Sequence, residues 1–116
     1  MMYGRRKFGN KKVELDGKVF DSKKEGRRYA ELRLLERAGE ISGLQTQVPF
    51  VLIPAQRDEK GRVIERAATY VADFVYNSKD GRLIVEDTKS PATRTDVYRL
   101  KKKLMLKVHG IRIYET

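Results

Sequence analysis

Two stretches of this chain place carboxylates where an apolar strand ordinarily excludes them. Asp73 sits between Ala72 and Phe74 in the run TYVADFVY, and Asp87 stands two residues before Lys89 in RLIVEDTK. An unpaired charge in apolar surroundings is costly, so acids in such runs call for a partner or a task. Period-two alternation puts Asp73 on the face shared by Val71 and Val75. In the next run it puts Asp87 and Lys89 on one face and Glu86 and Thr88 on the other. The segment NSKDG between the two runs is a hairpin signal, and pairing across it brings Asp73 and Asp87 toward one end of a sheet.

Two convergent carboxylates make a site for a hard divalent cation, which can lower the pKa of bound water and neutralise charge developing on a phosphodiester. Lys89 adds a group that could orient or help deprotonate an attacking water, or stabilise the transition state as a fixed positive charge. Asp-x-Lys alone fits a salt-bridge pair at a strand end equally well. Asp73 in an apolar strand, followed after a hairpin by Asp87-x-Lys89, makes the metal site the stronger reading.

Composition narrows the chemistry. The 116 residues are enough for one ordinary domain. Lysine and arginine number 26 against 16 acids, a formal net charge of +10, which points to a polyanion partner, nucleic acid before membrane. Cysteine is absent and His109 is the single histidine, so a zinc site of the usual Cys/His kind is excluded. Any metal must be held by oxygen, which suits Mg2+ or Mn2+. No apolar h-region follows the basic N-terminus, and an intracellular protein is expected.

The elements that position these residues are legible in outline. Residues 1–12 read as a flexible basic arm and 13–116 as a single domain. Residues 13–20 read as a hairpin turning at Asp16-Gly17. A helix follows, with Ser22 as N-cap and Gly39 near its end; at about 100° per residue Tyr29, Leu32 and Leu35 share one side. Glu25 lies on the meridian of Tyr29 and Leu32, with two roles open to it: closing a capping box with Ser22 or pointing into a site. Strands are expected over 44–54, 69–76 and 82–89, with a polar loop AQRDEKGR after the first. A second helix spans 95–109, capped by Gly110, and a last strand 111–115. Val97, Leu100, Leu104 and Val108 form the apolar stripe of the second helix, with Lys101 inside that arc.

This order and the acid, acid-x-lysine pattern resemble the PD-(D/E)XK nuclease superfamily over nearly the whole chain. Asp73 stands at the first signature acid, Asp87 at the second, Lys89 at the lysine, and Glu25 at the acid many members carry on the first helix. Ala72 replaces the signature proline, and Glu86 leaves open which carboxylate reaches the metal; alternation with Lys89 favours Asp87. The Asp21-Ser22-Lys23-Lys24-Glu25 helix start and the basic final helix resemble small phage-associated members and, more distantly, archaeal-type Holliday junction resolvases.

The resemblance implies an α/β, restriction-endonuclease-like αβββαβ core with a central mixed sheet flanked by helices. It implies a Mg2+- or Mn2+-dependent endonuclease acting on branched or structured DNA in recombination, replication or repair. Catalysis would fall to Glu25, Asp73, Asp87 and Lys89, with Glu25, Asp73, Asp87 and Thr88 at the metal. Arg5, Arg6, Lys7, Lys23, Lys24, Gln47, Lys101 and Lys102 are the candidate DNA contacts. A junction resolvase would need two sites related by a two-fold axis, so a homodimer is expected. Lys101 could snorkel out from a structural position or reach the scissile phosphate; Gln45 and Gln47 could contact water or phosphate. His109 reads as a helix C-terminal residue interacting with the dipole. The alternative function is a non-catalytic DNA-binding module retaining the nuclease fold.

Overall fold

The computed structural model describes residues 11–116. A hairpin of β1 (Val13–Leu15) and β2 (Lys18–Phe20) leads into helix α1 (Lys23–Arg37). Then come β3 (Ile41–Ile53), a small hairpin of β4 (Gln56–Arg57) and β5 (Val63–Glu65), β6 (Ala68–Ser78) and β7 (Leu83–Asp87). Helix α2 (Asp96–Leu104) runs on into a π-helical turn, Met105–His109, and β8 (Tyr114–Glu115) closes the chain. The main sheet has the order β3-β6-β7-β8; its first three strands are antiparallel and β8 is parallel to β7. The fold is thus mixed α/β, with a mixed central sheet and two helices. Among the described residues, no helix is long and apolar enough to cross a membrane.

Local chemistry explains the entry into this sheet. Asp16 and Gly17 take φ of 52° and 75°, the positive pair that a two-residue hairpin turn requires. Ser22 Oγ accepts the Glu25 N–H at 3.1 Å and so caps α1. The hairpin lies close on the helix: a Cβ at Gly26 would meet Val13 Cγ1 at 3.2 Å, so the bare glycine makes room for the Val13 and Leu15 side chains. Phe20, Tyr29, Leu32, Ile41, Phe74 and Tyr76 form the core on the α1 side. Leu35, expected on the buried side of α1, is exposed at 38 %. Glu36 takes the inward place instead, accepting the Leu44 N–H at 3.0 Å and so tying the helix end to β3.

On the other side, Leu52, Tyr70, Ala72, Val75 and Val85 pack with Tyr98, Met105 and Ile113. The expected stripe on the second helix is therefore rotated. Tyr98 and Met105 face the sheet, while Val97, Leu100 and Val108 are exposed. The helical turn from Met105 is π, not α, which shifts the phase of everything after Leu104. The left-handed Gly110, φ 68°, ends it as expected. Of the expected last strand, Tyr114 and Glu115 alone pair regularly with β7. The loop read after β3 contains the β4–β5 pair, which sequence patterning did not indicate.

One departure from strand regularity bears on the site. Tyr70, Ala72 and Val75 all pack on the α2 side, whereas Phe74 and Tyr76 pack on the α1 side, so alternation along β6 slips by one around Asp73. Opposite it, between the pairs Thr46↔Phe74 and Val48↔Ala72, Gln47 has φ of 53°, the left-handed region. The expected sharing of one face by Val71, Asp73 and Val75 does not hold: Val75 is in the core, Val71 is exposed, and Asp73 lies at the slip.

Candidate active site

Strand register assembles the centre. The pairing Phe74↔Glu86, continued by one residue, sets Asp73 across from Asp87, and Gln47 faces Asp73 from β3. Gln47, Asp73 and Asp87 thus form a row across three strands where β6 and β7 diverge. Asp87 is buried and accepts the Tyr70 hydroxyl at 2.6 Å. Lys89 Nζ lies 3.4 Å from its other oxygen and 4.0 Å from the centroid of the Tyr98 ring, a cation–π contact. Asp73 accepts the Thr88 N–H at 2.8 Å and the Gln47 amide at 3.3 Å. The same amide nitrogen donates to Glu25 at 3.2 Å.

Alternation along β7 is regular, and it separates the two adjacent acids. Glu86 turns to the α1 side, where Arg28 donates to both its oxygens at 2.8 and 2.7 Å and the Tyr76 hydroxyl adds a third bond. Asp87 is therefore the carboxylate beside Asp73. Lys89 lies just beyond β7, anchored by its N–H to the Thr116 carbonyl at 3.1 Å and by Lys24 Nζ on its own carbonyl at 2.7 Å.

Three acids crowd this end of the sheet. Burial pushes the Glu25 carboxyl up to about 7, with Asp21 and Asp87 adding repulsion against the pull of Lys89. Asp73 is raised well above the ordinary carboxylate range, first by burial, then by Asp87 beside it and by Glu25. Burial and the Asp87 charge also raise the Tyr70 hydroxyl, so it stays protonated and donates. Among the described residues, no three carboxylate or imidazole groups enclose one ion as they stand. The donor set is nevertheless all hard oxygen, and burial together with the neighbouring acids disfavours Glu25 and Asp73 as anions, which fits a divalent cation beside Asp73 and Asp87. Glu25 reaches the pair through the Gln47 amide.

A cleft of about 380 Å³ opens on this centre, with Gln47, Tyr70, Asp73, Asp87, Lys89 and Lys101 on its walls. Lys101 thus faces the acids. Lys102 does not: it bonds Glu115 at 2.8 Å, in a separate cleft behind α2. The expected DNA role of Lys102 meets this competing partner, since with Tyr98 and Arg94 it holds the Glu115 carboxyl down at about 2. Lys23 and Lys24 line a third cleft of about 310 Å³ with Lys11 and, from the other side, Lys89. Thr88 gives its N–H to Asp73 and its hydroxyl to Thr116. Gln45 is exposed, and His109 bonds the Val51 carbonyl at 2.7 Å, tying the helix end to β3. Arg5, Arg6 and Lys7 lie outside the described residues.

Sequence patterning missed Tyr70 and Tyr98. Tyr70 lies three residues before Asp73, and the slip in β6 is what turns it toward Asp87. Tyr98 stacks under Lys89 while its hydroxyl donates to Glu115 at 2.8 Å. No curated protein and no solved structure matches the chain. Residues 5–114 match the family described as "Protein of unknown function (DUF1064)", and the chain belongs to that family.

Proposed function

We propose that this chain is a divalent-metal-dependent endodeoxyribonuclease that hydrolyses phosphodiester bonds. The observation that carries the reading is the register that sets Asp73 across from Asp87, with Lys89 Nζ 3.4 Å from Asp87, in one open cleft. Asp73 and Asp87, with Glu25, would hold Mg2+ or Mn2+, whose part is Lewis-acid stabilisation of charge on the phosphodiester. Tyr70 fixes the Asp87 carboxylate by one oxygen and leaves the other toward the cleft. Lys89, steadied by the Tyr98 ring, is placed to orient the attacking water or meet the developing negative charge. Lys101 lines the cleft and would be a phosphate contact, and the net charge of +10 favours association with DNA.

The order α1-β3-β6-β7-α2-β8 supports placing the chain with PD-(D/E)XK nucleases, and branched or structured DNA is the substrate class that resemblance brings. Such an enzyme would act as a homodimer, and the exposed Val97 and Leu100 on α2 and Val108 on the π turn after it offer apolar surface for a second copy to cover. The test is incubation of the protein with four-way junction, flap, nicked and linear duplex DNA, with and without Mg2+ or Mn2+. Metal-dependent cleavage that Asp87→Asn and Lys89→Ala both remove is the expected result. No cleavage of any substrate, or cleavage indifferent to both substitutions, rejects the proposal.

A further inference from the structure

Gln47 combines three features that an ordinary strand residue lacks. Its backbone is left-handed at φ 53° in the middle of a long antiparallel pair, a conformation unfavourable for any residue with a Cβ. It lies directly opposite Asp73 in the register of β3 on β6. Its amide nitrogen donates at once to Glu25 Oε2 at 3.2 Å and Asp73 Oδ1 at 3.3 Å. As carboxylates, the state in which they could hold a cation, Glu25 and Asp73 only accept, so the NH2 end of the amide faces them and one small donor sits between two acids that repel once ionised.

We propose that Gln47 is a positioning residue that stands in for the cation: its amide holds Glu25 and Asp73 together when no metal is bound and withdraws when one enters. The inference rests on reading this cluster as a cation site. Two long hydrogen bonds from a neutral amide are weak beside the attraction of a doubly charged ion for the same oxygens. Glu25 is buried while Gln47 is exposed, so the amide can swing toward solvent without disturbing the core. The left-handed backbone aims the side chain across the strand ends at the acids, which gives the strain a purpose.

The consequence is competition between the amide and the ion. Removing the amide while keeping the side-chain length, Gln47→Met, is expected to tighten Mn2+ binding about three- to ten-fold and to lower the melting temperature of the metal-free protein. Gln47→Asn tolerates the left-handed backbone yet is too short to span both acids, and is expected to tighten Mn2+ binding likewise. Calorimetric titration of the full chain with Mn2+, without DNA, reads the affinity, and thermal unfolding with and without Mn2+ reads the stability. Tighter binding in both variants supports the proposal. Unchanged affinity overturns it, and weaker affinity overturns it in favour of Gln47 as a ligand. A wild-type chain that gives no heat with Mn2+ instead rejects the cation site itself, so the two failures are distinguishable.

Discussion

Glu86 and Asp87 are neighbours on β7 that face opposite sides of the sheet, Glu86 into the Arg28 guanidinium and Asp87 into the cleft beside Asp73. Their substitutions should separate stability from activity. Glu86→Ala leaves Arg28 and the Tyr76 hydroxyl without their shared acceptor and should destabilise the fold by about 3 kcal/mol or more. Asp87→Asn keeps an acceptor for Tyr70 and loses the Lys89 pair while relieving the repulsion with Asp73, so it should cost less stability than Glu86→Ala while reducing metal-dependent cleavage at least about 100-fold. Denaturant unfolding and a cleavage assay on the same preparations give both readings, and equal effects of the two substitutions on stability would contradict this division.

The metal-free protein should lose stability as pH rises from mildly acidic to neutral. Glu25 is raised from 4.5 to about 7, and Asp73 is raised as well. Below the unfolded values both states carry the protons, and the contribution is complete. Between there and the folded values the unfolded chain ionises while the folded one holds its protons, so folding stability falls with pH. Glu25→Gln removes that cost and should make the metal-free protein more stable at pH 8, on the order of 1 to 3 kcal/mol, with little change at pH 4. Thermal unfolding across this pH range checks it; a Glu25→Gln curve parallel to the wild type would contradict it.

Much of this arrangement is readable from residues whose effects are local. Asp16-Gly17 sets a turn, Ser22 caps α1, NSKDG joins β6 to β7, and Asp87-x-Lys89 keeps strict alternation. What escaped detection depends on long-range geometry. The slip at Asp73 arises with a left-handed Gln47 on another strand, and glutamine carries no signal for that conformation. The π turn at Met105, which no residue type announces, turns Val108 out of the expected stripe, and the burial of Tyr98 in place of Val97 and Leu100 is set by packing against the sheet. The partner of Lys102 is Glu115, across the return to β8, so the helical wheel could place Lys102 on a face but could not show that an acid awaits it.

Lys101 and Lys102 should differ as DNA contacts. Lys101 lines the acidic cleft, whereas Lys102 is occupied with Glu115. Lys101→Ala should weaken DNA binding and reduce the slope of log affinity against log salt by about 0.9, the share of one phosphate. Lys102→Ala should leave that slope nearly unchanged and cost at most about 1 kcal/mol in stability, because the pair it breaks is partly solvated. Binding titrations at several salt concentrations without divalent metal keep cleavage out of the measurement. Equal slopes for the two variants would mean that the cleft is not where the backbone lies.

Lys89 gives the sharpest separation of binding from chemistry. Its ammonium touches Asp87 and the Tyr98 ring, and its side chain is largely enclosed. Removing it deletes one positive charge among many, so affinity for DNA should change little, while the charge missing at the reacting phosphodiester should cost about 10²- to 10⁴-fold in rate. Lys89→Arg keeps the charge but replaces a compact ammonium by a planar fork that cannot sit at the same point between Asp87 and Tyr98, so only a fraction of the rate should return. Single-turnover cleavage with saturating enzyme isolates the chemical step from binding. A Lys89→Ala protein that binds normally and cuts at the wild-type rate would remove the lysine from the mechanism and leave Asp73 and Asp87 to act without it.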